Sequence, residues 1–200
     1  MCGRFRINTE LGSLSRRFLV EESEIDSYKG GEVAPSDLAP VIVNQEGTRK
    51  LVLMRWGFTH PGGKGLIINA RSETVDIKPM FRRAFQSKRC LIPANGFFEW
   101  KQEGRAKIKH EIIFNEGQLF AMAGLYDFFV GEDGRRYPAF TIITTPANKL
   151  VASLHHRMPA ILLPDGEQIW LEGVAGQARL LKDILQPYPD GEKTMAILRR

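Results

Sequence analysis

The second residue, Cys2, has the most distinctive chemical potential in the chain. Removal of Met1 would leave a cysteine carrying a free α-amine and a thiol on adjacent carbons. An aldehyde meeting such a 1,2-aminothiol forms an imine with the amine, and the thiol then closes a five-membered thiazolidine. An internal cysteine such as Cys90 cannot do this. In peptides the amine titrates at about 7.7–8.0 and the thiol at about 8.5, so modest help from neighbours makes either one nucleophilic. The same position also suits an ordinary frayed terminus, so the other polar residues have to decide.

Three further segments carry candidate chemistry. Asn69-Ala70-Arg71-Ser72-Glu73 is a polar run directly behind the apolar Leu66-Ile67-Ile68. Gly96-Phe97-Phe98-Glu99-Trp100 sets a carboxylate among rings, where poor solvation should raise its pKa and let it exchange protons near neutrality. His155-His156-Arg157-Met158-Pro159 places two imidazoles at the end of a helical pattern. Each has a structural alternative: Asn69 as a turn cap, Glu99 paired with Lys101 or Arg105, His155 as a satisfied residue at a helix end.

Arg4 and Arg6 flank Cys2, Arg55 precedes Trp56, Arg71 follows Asn69-Ala70, and Arg157 lies two residues after His155. A guanidinium donates two parallel hydrogen bonds and so suits phosphates. Arg82, Arg83, Lys88 and Arg89 fit ordinary solvation on a helix instead.

These groups must be positioned by a 200-residue chain that is 43% hydrophobic, enough for a core. The formal charge of +5 suits a polyanionic partner without proving one. No run approaches the roughly 20 apolar residues of a membrane span, and the start shows no secretory h-region, which points to the cytoplasm. Two cysteines without CxxC or HxxxH spacing give neither a disulfide framework nor a metal site, and no cofactor is implied.

Apolar β-rich runs recur between turn signals. Val41-Ile42-Val43 with Leu51-Val52-Leu53-Met54 predicts one hairpin about Glu46-Gly47, and Ile112-Ile113-Phe114 with Leu119-Phe120-Ala121 predicts another about Asn115-Glu116-Gly117. Further strands are predicted at 66–68, 97–98, 126–129, 140–144 and 161–163. Helical patterns cover Thr9 to Leu19, Pro79 to Ser87, Pro146 to Leu154 with Thr145 as N-cap, and Ala178 to Leu185. With no composition break or repeat, the expected fold is α+β: a single domain over 1–200 built on a curled, barrel-like, mostly antiparallel sheet with a few flanking helices.

Taken in order, Met1-Cys2-Gly3-Arg4-Phe5, Val33-Ala34-Pro35, Arg55-Trp56-Gly57, Asn69-Ala70-Arg71-Ser72-Glu73, the run from Arg89 to Trp100, Ala123-Gly124-Leu125 and His155-His156-Arg157-Met158-Pro159 resemble the SRAP family, named for SOS-response-associated peptidase. The resemblance implies a monomeric sensor of abasic sites in single-stranded DNA, nucleoid-associated when bound, that captures the ring-opened sugar aldehyde on its N-terminal cysteine. It implies Cys2 as nucleophile, Asn69 as a hydrogen-bond partner of the sugar, Glu99 handling protons around the amine, and His155 as general acid on the sugar oxygen. Arg4, Arg71 and Arg157 become candidate phosphate contacts, with Trp56, Trp100 and Met158 as candidates to meet bases or the backbone at the lesion. A lyase side reaction and self-removal of Met1 are compatible with it.

Some positions depart from the family pattern. Glu32 stands where asparagine is usual and Ser36-Asp37 where a threonine-glutamine type of pair is usual, and two acidic residues there should lower the local affinity for phosphate. The stretch Phe58-Thr59-His60-Pro61-Gly62-Gly63 lacks a second tryptophan. Two rival functions differ in class: an N-terminal-nucleophile thiol peptidase that turns over amides, and a non-covalent single-strand binding module that does not use Cys2.

Overall fold

The structure, a computed structural model, describes residues 2–60, 62–114, 117–173, 176–190 and 195–200. In chain order the first half contains β1 (Arg4–Ile7), α1 (Leu11–Phe18), β2 (Glu22–Ser23), β3 (Gly31–Val33), β4 (Leu38–Gln45), β5 (Thr48–Trp56), β6 (Phe58–Thr59), β7 (Leu66–Ile67), β8 (Asn69–Arg71), α2 (Pro79–Ser87) and β9 (Arg89–Ala94). There follow β10 (Gly96–Glu103), β11 (Ala106–Phe114), β12 (Phe120–Val130), β13 (Arg136–Pro146), α3 (Lys149–Ala152), β14 (Arg157–Pro159), β15 (Ile161–Leu162), α4 (Pro164–Glu172), α5 (Ala178–Asp183) and β16 (Met195–Arg199). The fold is α+β with barrel-like curled sheets, and 46% strand against 19% helix means that strands do the positioning.

One sheet runs β16-β11-β10-β1-β3, and the larger one follows the path β14-β13-β12-β9-β4-β5-β2. Pairing is mostly antiparallel, but β13 runs parallel to both β5 and β8. The β4–β5 hairpin forms as predicted: Gln45 faces Thr48, and both turn residues are left-handed, Glu46 at φ 54° and Gly47 at φ 88°. Positive φ at both positions gives the turn the twist that flanking strands need. Helix α2 also matches its pattern, with Pro79 in its first turn, Phe81, Ala84 and Phe85 buried, and Arg82 and Arg83 exposed.

Between the sheets lies a core in which Phe5 meets Trp56 edge-on at 5.0 Å, while Trp56 and Phe140 stack with centroids 6.2 Å apart. Burying each ring contributes roughly 1.5–3 kcal/mol. The indole Nε1–H of Trp56 donates to the Ile68 carbonyl at 3.0 Å. That bond fastens the segment leading into Asn69, so a core residue helps to aim a site residue.

Several expectations are corrected. Strands β11 and β12 do not form a hairpin: β11 pairs with β10 and β16, while β12 pairs with β9, β13 and β15. β11 and β12 belong to different sheets, and the rings of Phe114 and Phe120 meet at 4.6 Å; Asn115 and Glu116 lie outside the described residues. The partner hairpin is β10–β11, whose charged tip hid its period-2 pattern. Thr145 and Pro146 finish strand β13 rather than opening a helix, and Asn148 caps α3 by accepting from the Val151 amide at 3.0 Å.

Helix α4 and strand β16 add to the elements expected from the sequence. Arg89 is no solvated helix residue either. It is 7% exposed, and its guanidinium donates to the Trp170, Phe85 and Gln86 carbonyls at 2.6–2.8 Å and to that of Gly173. Those carbonyls end α2 and α4, where helical partners run out and a cation is favoured.

Candidate active site

Cys2 lies just before β1, fully buried, and its Sγ–H points to the Arg4 carbonyl at 3.6 Å. Burial first, and then the carboxylate of Glu99, push the thiol well above its ordinary pKa. At neutral pH it therefore stays protonated. Met1 lies outside the described residues.

Asn69 opens β8, and its Nδ2–H donates to the Cys2 carbonyl at 3.0 Å. Its Oδ1 is buried without a hydrogen-bond partner among the described residues. An acceptor left open in this way suits a hydroxyl or ammonium arriving beside Cys2.

Glu99 is 3% exposed in the middle of β10. Burial raises its pKa, and nearby positive charge, in which His156 has the smallest share, offsets that only in part. The neutral acid and the carboxylate thus become closer in energy at neutral pH, as proton shuttling requires. The sequence suggests a raised pKa from the adjacent rings, but β10 turns Phe98 and Trp100 to the face opposite Glu99, so the burial comes from packing on the other side; the influence of His156, 57 positions away, left no sequence signal.

His155 follows α3, and its Nδ1 accepts the Arg157 amide N–H at 3.0 Å. Nδ1 also lies 3.3 Å from the Arg157 carbonyl, to which it donates when protonated. Burial is the main cause of a depressed imidazole pKa, and the ring stacks on that of His156 at 4.3 Å.

Strand β13 brings these segments together. On one side it pairs with β8, matching Ile142 to Asn69 and Thr144 to Arg71; on the other it pairs with β14, matching Pro146 to Arg157. The segments 69–73 and 155–159 therefore flank the same strand end.

The candidate DNA contacts divide sharply. Arg71 is exposed and makes no ion pair among the described residues. Arg157 is buried: both Nη atoms bind the Glu73 carboxylate, and Nη2 also donates to the Thr144 carbonyl at 2.6 Å. A phosphate would have to displace Glu73. Trp56 has no exposed surface to offer a base, because the largest ring gains most from the core, and Met158 is likewise enclosed, its Sδ accepting from the Asn148 amide. Trp100 stays partly exposed on β10.

Arg4 is exposed but paired with Glu32 at 2.9 Å, and Lys109 reaches the other oxygen of Glu32 at 2.5 Å. Desolvation works to raise the Glu32 pKa, but these two cations outweigh it and hold the carboxyl below its ordinary range. Asp37, the other unusual acid, is used internally: its Oδ2 accepts the Ala34 amide at 2.8 Å to close a turn in which Ser36 sits at φ 78°. Neither Lys109 nor Glu73 carried a sequence signal for its role, since their partners lie 77 and 84 positions away.

This constellation has relatives. A family model described as SOS response associated peptidase (SRAP) matches residues 1–199. The chain belongs to the SRAP family. It is 37% identical over 196 residues to the abasic site processing protein YoqW of Bacillus subtilis, covering 94% of this chain and 88% of that protein. It is 33% identical over 182 residues to the abasic site processing protein YedK of Escherichia coli, covering 86% and 79%. Among solved structures, a Bacteroides thetaiotaomicron protein superposes on this SRAP chain with a TM-score of 0.85 at 27% identity, covering 99% of this chain and 91% of that one. Among the described residues of this SRAP chain no helix is long and apolar enough to cross a membrane, and no group of His, Cys, Asp and Glu side chains is placed to hold a metal ion.

Proposed function

We propose that this SRAP chain processes abasic sites in single-stranded DNA by capturing the sugar aldehyde on Cys2 once Met1 has been removed. The observation that carries this reading is the convergence on one buried residue: Cys2 is tied by Asn69 through its carbonyl, and its thiol feels the charge of Glu99.

The steps balance. The closed sugar opens as His155 donates a proton to the ring oxygen, the bond from that oxygen to C1 breaks, and the C1 hydroxyl releases its own proton to solvent, leaving the aldehyde. The Cys2 amine adds to the aldehyde carbon, and the carbinolamine loses one water to give the imine, with Glu99 moving a proton from nitrogen to the departing oxygen. The thiol then adds across C=N: sulfur bonds to carbon, its proton goes to nitrogen, and the thiazolidine is closed. A thiol held protonated by burial is suited to this order, since the amine reacts first. If closure fails, the imine acidifies the adjacent C–H and permits β-elimination of the 3′ phosphate, a lyase side reaction. Enclosing a bare sugar demands a splayed backbone, which favours single strands over a stacked duplex.

A peptidase would use the same Cys2 sulfur as the first nucleophile. The two readings therefore differ in which Cys2 group attacks first, the amine for capture and the thiolate for a peptidase. The test is to mix the protein with a single strand carrying one abasic site and to run a heated denaturing gel. A heat-stable band of higher mass is expected. Its absence, with turnover of amide substrates, would leave the peptidase; its absence with tight undamaged-strand binding would leave a non-covalent module.

A further inference from the structure

Strand register places Arg4, Arg6, Glu32, Phe98, Trp100 and Lys109 on one face of the five-stranded sheet. Arg6 pairs with Glu32, Arg4 with Phe98, and Trp100 with Lys109. Side chains at directly paired positions, and at alternate positions along a strand, share a face. The face begins two residues beyond Cys2.

Here one carboxylate serves two cations with different oxygens, Oε1 to Arg4 at 2.9 Å and Oε2 to Lys109 at 2.5 Å. The side chains are 45%, 30% and 29% exposed for Arg4, Glu32 and Lys109, so solvent reaches the bridge from one side. Pairs of this kind add little to stability and yield to competing ions. The bridge is a poor structural clamp and a good description of a ligand: one negative charge shared by two oxygens, which is also what a phosphodiester presents through its non-bridging oxygens. The Lys109 ammonium also lies 4.2 Å from the Phe98 ring centroid and 5.9 Å from that of Trp100. Those rings keep it in place when the carboxylate leaves.

We propose that Arg4 and Lys109 form a phosphodiester-binding pair for single-stranded DNA, and that Glu32 occupies this pair in the free protein as an internal competitor. Lys109 is thereby assigned a DNA contact, and Glu32 sets how tightly undamaged strand is held. The inference rests on the abasic-strand function above and extends it to the approach of the strand. Binding a strand swings Glu32 aside and puts a phosphate between the two cations. The competitor lowers affinity for any strand, so capture chemistry at Cys2 dominates residence on DNA.

The experiment uses the full chain and a labelled, undamaged single-stranded oligonucleotide, titrated by fluorescence anisotropy over a salt series with wild type, Glu32→Gln, Lys109→Gln and the double variant. Glu32→Gln should bind about fivefold more tightly at low salt. Its plot of log K against log salt should steepen by about 0.7 for each cation freed to meet a phosphate. Adding Lys109→Gln to that background should remove about 0.7 of the slope again. Wild-type affinity and slope in Glu32→Gln would overturn the competitor, and an unchanged slope on adding Lys109→Gln would overturn the pair. An abasic strand run in parallel separates the two ideas. If wild type crosslinks it while Glu32→Gln changes nothing, this inference fails alone; if wild type does not crosslink but Glu32→Gln still tightens binding, the capture reading fails alone.

Discussion

The side-chain amide of Asn69 donates to the main-chain carbonyl of Cys2 at 3.0 Å, joining residues 67 positions apart. The bond holds the start of the chain in the site and leaves the Asn69 Oδ1 open beside it. Asn69→Asp would set a carboxylate oxygen against the Cys2 carbonyl. We expect adduct formation to slow about 3–10-fold, the loss of one hydrogen bond. A wild-type initial rate for Asn69→Asp on an abasic strand would dissociate this contact from the chemistry.

Cys2→Ala should keep strand binding and lose the heat-stable adduct, while Cys2→Ser should give at most a labile imine. A stable adduct from Cys2→Ala would falsify capture on this residue. Cys90 is the control: buried in β9 and lacking an α-amine of its own, it should cost about 1 kcal/mol in thermal or denaturant unfolding when replaced by Ala, with crosslinking intact.

Glu99→Gln and His155→Ala should each slow crosslinking about 10²–10⁴-fold without changing its end point. Glu99→Gln should slow release of a purified crosslink as well, since the proton taken up on the way in must be returned on the way out. The pKa directions add a stability test. Burial raises the folded pKa of Glu99, so its protonated form favours folding, and that contribution is lost as pH rises from its unfolded value through the raised one. The depressed His155 contributes stability that is whole above 6.5 and declines as pH falls toward its folded pKa. Denaturant unfolding against pH should therefore lose its Glu99 slope in Glu99→Gln; an unchanged profile would mean that the carboxyl is not desolvated.

Arg71 and Arg157 should behave differently despite similar sequence settings. Exposed Arg71→Ala should leave stability within about 0.5 kcal/mol and flatten the salt dependence of strand binding by about 0.7. Arg157→Ala removes the partner of Glu73 and the donor to Thr144, and should cost about 2 kcal/mol of stability. Equal stability for the two variants would contradict the buried pairing of Arg157.

Arg89→Met tests a purely structural cation. It leaves the carbonyls of Phe85, Gln86, Trp170 and Gly173 without their donor, and unfolding should be easier by about 3 kcal/mol. Crosslinking measured well below the melting temperature should match wild type. A stable variant would mean that water replaces the guanidinium.

The order of motifs from Cys2 to Met158 could be read from the sequence, as could the chemistry available to an aminothiol, because both depend on residue type and chain position alone. Local rules also sufficed for the hairpin at Glu46-Gly47, where two left-handed residues suit one turn, and for α2, whose apolar positions recur at helical spacing. The direction of the Glu99 shift was expected from the sequence but its cause was not, because strand alternation turns the neighbouring rings to the opposite face and the burial comes from tertiary packing. Only the tertiary structure decided which polar groups meet. Glu32 reaches Lys109, Glu73 reaches Arg157 and Arg89 reaches Trp170 across 77, 84 and 81 positions. It alone decided that Trp56 is core while Trp100 keeps an open face. Exposure and charge pairing are properties of what the sheets bring opposite a side chain, and strand register between distant segments leaves no trace in either segment by itself.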